Sequence, residues 1–168
     1  MRRFLCALAA ILLFTPGRAG AADPPAANAI FTTISRADMT SILQTAGLTD
    51  ISDGTTDEAW PWMVGKTSTG LPVEVDFYRC DAGAGPQRPC TQLRFKITWN
   101  NLQAIDAKAV ALYNEKYVFG RGVVTSDAKY VSTDYPLNLD GGVTRDYIVK
   151  NLTYFLISAN DFVAMVKP

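Results

Sequence analysis

Two runs of alternating apolar and polar residues, LPVEVDFYR over 71–79 and QLRFKITW over 92–99, flank a Gly- and Pro-rich segment bounded by Cys80 and Cys90. Side chains of a β-strand point alternately to opposite faces, so this period of two is a strand signature. Leu71, Val73, Val75 and Phe77 share one face of the first run, and Leu93, Phe95, Ile97 and Trp99 share one face of the second. The opposite faces carry Glu74, Asp76 and Tyr78 on one run and Arg94 and Lys96 on the other. The segment DAGAGPQRP between the cysteines lets the chain fold back while the strands pair. Acids facing bases across such a hairpin contribute only tenths of a kcal/mol when exposed, so they read as register markers.

The cysteines pair because of what precedes them. Arg2 and Arg3 lead into an uncharged apolar run, Phe4 to Phe14, of 11 residues. A bilayer span needs about 20, so the run has the length of a secretory h-region. Ala19-Gly20-Ala21 offers a small-x-small cleavage site, with Ala22 as the neighbouring alternative. Residues 1–21 are therefore expected to be a signal peptide, and the mature chain to be periplasmic or secreted. Cys6 leaves with the signal, and the even pair that remains reads as a disulfide in an oxidising compartment. A ring of this size stabilises a fold by roughly 3 kcal/mol in the chain-entropy account. Without Arg2, Arg3 and Arg18, the 16 Lys and Arg fall to 13 against 16 acids, a net charge of −3. That weakly acidic balance gives no electrostatic basis for binding nucleic acid or anionic lipid. No later stretch is long and apolar enough to span a membrane.

Residues 22–33 are small and Pro-containing and read as a flexible leader, with one domain over 34–168. Ser35 and Asp38 form a capping box, and Ile34 and Met39 a hydrophobic staple. They open a helix over 35–46 that Gly47 ends. Short strands are expected over 48–53 and 59–66, before the hairpin already described. A second helix follows over 102–116, with Ile105, Ala109, Leu112 and Tyr113 on its apolar side. Strands over 119–125 and 129–137 form a second hairpin. Asp140-Gly141-Gly142 makes a turn, and Thr144 caps a long last helix whose apolar stripe runs from Tyr147 and Ile148 through Phe155 and Phe162 to Val166. The order α-β-β-β-β-α-β-β-α gives an α+β fold, an antiparallel sheet packed with helices.

Certain pieces carry a resemblance: FYRC ending a strand, LYNEKYVFGR joining a helix to a hairpin, DGGVTRDYI opening the last helix and DFVAMV near its end. Across residues 34–166 the chain resembles the YbjN-type domain, a bacterial family described as sensory transduction regulators. The resemblance implies a fold like the small chaperones of type III secretion, which often dimerise and bind extended peptides. It implies no enzymatic activity.

The chain has no histidine. That removes the usual general base, the usual metal ligand and any Ser-His triad, and no catalytic, cofactor or metal site is expected. Asp50, Asp53, Asp57 and Glu58 cluster, but their spacing does not match a calcium loop, and a solvated acidic loop is the simpler reading. Gly120-Arg121-Gly122 is too short for a phosphate loop and suits a tight helix-to-strand corner. Asn114, Glu115 and Arg121 meet at that corner, through a Glu115–Arg121 ion pair or an arginine facing a ligand. Trp60 and Trp62, two apart on a strand, share one face that is either core or a recognition surface. Two functions follow as expectations. One is a non-catalytic module binding a protein or peptide, with a homodimer possible. The other is a small-ligand sensor or hydrolase built on Glu115 and Arg121.

Overall fold

The computed structural model describes residues 29–54, 61–100, 106–125 and 130–166. A capping box forms at Ser35, whose hydroxyl accepts from the Asp38 amide at 3.2 Å while its own amide donates back to Asp38 at 3.0 Å. It opens α1 (Arg36–Thr45). Beyond the helix, Gly47 takes φ +85° and donates to Gln44, and Leu48 donates to Leu43, a Schellman end that occupies two otherwise orphan carbonyls. Four strands follow: β2 (Thr49–Asp53), β3 (Trp62–Lys66), β4 (Pro72–Cys80) and β5 (Cys90–Asn100). Then come α2 (Ala107–Lys116), β6 (Arg121–Val124), β7 (Tyr130–Asn138) and α3 (Arg145–Val166).

The expected order is present, with two additions. Ile30–Phe31, here β1, pairs with Val143–Thr144, here β8. The end of the expected leader is thus tied by its backbone to the entrance of α3. The six longer strands form one antiparallel sheet in the order β2-β3-β4-β5-β7-β6. After β5 the chain crosses through α2 to the far edge, and β7 returns between β6 and β5. The fold is α+β: three helices on a six-stranded antiparallel sheet, with a two-stranded sheet beside it.

All three helices pack on the same face. Met39, Ile42 and Leu43 of α1 join Ile148, Leu152, Phe155 and Ala159 of α3 over Val73, Val75, Phe77, Leu93 and Phe95. A smaller cluster holds Ala109, Val110 and Tyr113 of α2 against Val131 of β7 and Phe162 and Val166 of α3. Two expected apolar positions are corrected here. Leu112 points to solvent and Val110 takes its place in the core, because α2 meets β6 and α3 through Ala109, Val110 and Tyr113. Tyr147 is also exposed, one step off the α3 stripe. Arg145 at the start of α3 is buried, and its guanidinium donates to the Ser41 carbonyl at 2.7 Å and to the hydroxyls of Ser41 and Thr45. This cation, held at Ser41 and Thr45 in the C-terminal half of α1, joins the two helices where the dipole favours positive charge.

Candidate functional site

Directly paired residues of an antiparallel sheet point to the same side. The face away from the helices can therefore be read row by row. One row crosses the sheet as Val64, Glu74, Lys96, Asp134 and Arg121. The next is Trp62, Asp76, Arg94 and Pro136, and the next after that Tyr78, Gln92 and Asn138. No described helix packs on this face.

The charges expected across the β4–β5 hairpin meet as read from the sequence. Lys96 Nζ lies 2.9 Å from Glu74, and Arg94 Nη2 lies 2.6 Å from Asp76. Burial raises the Glu74 carboxyl above its ordinary value, and the neighbouring Asp76 carboxylate adds to this while Lys96 opposes it. Burial likewise raises the Tyr78 phenol, with Asp76 again second. Arg94 stacks over the Tyr78 ring at 5.3 Å.

At the α2–β6 corner the expected partners differ. Glu115 is exposed on α2, and Arg121 turns instead to Asp134 on β7. The reason is topological: Arg121 and Asp134 are direct cross-strand partners, whereas Glu115 stays on the helix. The pair is bidentate, with Nε at 3.2 Å from Oδ1 and Nη2 at 3.0 Å from Oδ2. Its two ends differ: the Asp134 side chain is 5% exposed and that of Arg121 67%. Asn114 has a different task. Its amide accepts from the Gly122 N–H at 2.6 Å and donates to the Gly122 carbonyl at 3.1 Å. One side chain thus satisfies the outward backbone groups of that residue on an edge strand.

Gly120 forms the tight corner its sequence context suggests. A Cβ there would strike the Tyr113 hydroxyl and come within 2.9 Å of Thr133 Oγ1 and 3.1 Å of Ser158 Oγ. Tyr113, buried, hydrogen-bonds both hydroxyls, at 3.3 Å to Thr133 and 2.5 Å to Ser158. These polar atoms are satisfied internally, and the trio holds the corner together.

Of the aromatic candidates, Trp62 is half-buried on the open face, where its ring overhangs Gly54, just past the end of β2. Tyr78 shares that face. Trp99 points inward, its ring 5.5 Å from Phe162. Trp60 lies outside the described residues, as do Asp57 and Glu58. Of the other acids in that cluster, Asp50 faces Lys66 at 3.1 Å and Asp53 faces Arg36 at 3.4 Å. Among the described residues, no group of three or more His, Cys, Asp or Glu stands close enough to hold a metal ion, and no helix is long and apolar enough to cross a membrane.

Cys80 and Cys90 are joined as a disulfide and sit directly opposite each other in the β4–β5 ladder. A surface groove of about 540 Å³ lies on the open face and is lined by Tyr78, Gln92, Arg94, Arg121, Pro136 and Asn138 among others. Sequence reasoning singled out Arg121 but treated Arg94 only as a register marker and passed over Asp134. The signal for both was in the alternation, but the strand order that joins them was not. Compared with known proteins, the chain matches no family model and no curated protein.

Proposed function

We propose that this protein is an exported, non-catalytic binding module, a member of the YbjN-type group it resembles, which holds a protein or peptide partner on the open face of its sheet. One observation carries this reading: both sheet edges are blunted, while the face opposite the helices is uncovered among the described residues. Edge strands invite an added strand unless they are blunted. On β6, Asn114 occupies the outward N–H and C=O of Gly122. On β2, the pairing is interrupted by an irregularity between Thr49 and Ser52, Asp50 sits at φ +49°, and Asp50 and Asp53 add charge. Bulges and edge charges are the usual means of discouraging strand addition.

What remains is a broad surface of half-buried aromatics and paired charges, a mixture suited to specificity more than to raw affinity. The Cys80–Cys90 bond supports an oxidising destination. The absence of histidine, with Arg121 drawn to Asp134 and away from Glu115, favours binding over hydrolysis.

Site-specific photo-crosslinking tests the reading. A photoreactive residue placed at Val64 or Lys96 should give a discrete adduct from an envelope extract, lost in Trp62→Ala. The same probe at Lys150, on the helix side, should give none. Equal labelling from both sides, or none from either, would refute it.

A further inference from the structure

We propose that the groove between Arg94 and Arg121 binds a peptide through a carboxylate. This rests on the open face being the binding surface and names the chemistry it reads. The argument begins with where the charges lie. The groove is lined by two guanidinium groups and by no acid. The acids that balance them, Asp76 and Asp134, are their direct cross-strand partners and do not line the groove, and Asp134 is buried beneath its arginine.

Each arginine gives one edge to its carboxylate. Arg94 places Nε and Nη2 on Asp76, at 2.8 and 2.6 Å, and Arg121 places Nε and Nη2 on Asp134. The remaining amino group of each, Nη1, has no protein acceptor among the described residues. A guanidinium held on one edge is already oriented, so little rotamer freedom is lost when its other edge meets an anion.

The rest of the lining distinguishes a peptide from a simple anion. Asn138 is occupied, donating to Asp140 at 3.1 Å and accepting from its amide. Gln92, its direct cross-strand partner, makes no side-chain hydrogen bond among the described residues and has both a donor and an acceptor for a backbone amide. Pro136, between the two arginines in the sheet, and the Tyr78 ring supply apolar surface for a neighbouring side chain. A phosphate would use the cations and leave these groups idle.

The test is a titration of the mature protein, following the Nε–H signals of Arg94 and Arg121 by NMR. Four probes are compared: acetyl-Val-Leu-Val with a free carboxylate, the same peptide amidated, amidated acetyl-Val-Glu-Val, and inorganic phosphate. Saturable shifts of both signals are expected from one or both carboxylate-bearing peptides and not from the neutral amide. The free-terminus and Glu peptides separate a chain end from an acidic side chain. Arg94→Gln and Arg121→Gln should each weaken binding tenfold or more with the backbone spectrum preserved. Should either fail to fold, Arg121→Lys and Gln92→Ala should each weaken binding at least threefold. Shifts as large from the neutral amide, stronger binding of phosphate than of either carboxylate peptide, or unchanged affinity in the variants would overturn the assignment. If the peptides fail while Val64 and Lys96 still crosslink a partner, this assignment falls and the broader reading stands. If neither occurs, both fall.

Discussion

The two hairpins of the sheet solve the same problem in different ways. In β4–β5 the strands run long, alternate cleanly and are joined by a covalent bond at the mouth of their loop. In β6–β7 four residue pairs form among the described residues, and the corner leading into β6 depends on side chains: the Asn114 clip, the Arg121–Asp134 pair and the hydroxyl trio under Gly120. The first hairpin is fixed by chain pattern, the second by contacts from α2, β7 and α3. An element with few pairs of its own needs its polar groups satisfied by neighbours, and each neighbour becomes a point of failure.

The contrast can be tested from its strongest element downward. Replacing both Cys80 and Cys90 by Ala should destabilise the domain by about 3 kcal/mol, read as a shift in urea midpoint. A loss below about 1 kcal/mol would mean that strand pairing alone fixes β4–β5. Gly120→Ala should lose about 2 kcal/mol, because the added methyl lands on the Tyr113 hydroxyl and crowds Thr133 and Ser158. A neutral result would show that the trio can yield. Asn114→Ala should lose about 1 kcal/mol and speed amide exchange at Gly122, with the β4–β5 amides unchanged. Uniform acceleration would mean that the two hairpins open together.

The smallest effect is electrostatic. Burial and Asp76 lift the folded-state pKa of Glu74 above its ordinary 4.5, so the folded protein holds this proton more tightly than the unfolded chain. Its contribution to stability is greatest below about that value and declines as pH rises through the raised one. Glu74→Gln should therefore flatten this part of the stability–pH curve. If the variant and the parent fall in parallel, Lys96 has offset the burial.

Which parts were legible follows the same division. The β4–β5 strands, the Ser35 capping box and the α3 stripe are local patterns of period two or 3.6, and local patterns show in a sequence. The charge pairs of that hairpin were legible because a single turn sets their register. Arg121–Asp134 was not, because the pattern showed β6 and β7 as a hairpin but did not fix the register that sets these two residues opposite each other. Glu115 was the nearer acid in sequence, and nearness misled. Leu112 was misplaced for a related reason: with Ala109, Val110 and Tyr113 on hand, the helix can turn either of two apolar arcs inward, and only its neighbours decide.

The disulfide has a consequence beyond the rigidity it lends. Cys80 and Cys90 are opposite partners, and they keep the register of the β4–β5 ladder, in which the two residue numbers have the same sum from Tyr78 with Gln92 to Glu74 with Lys96. Sliding one strand by a single residue would turn Phe95 and Leu93 outward and Arg94 inward. Once the two sulfurs are bonded, that parity is locked. Oxidation thus chooses which side of the ribbon becomes interior, whether or not a helix has yet arrived to cover it.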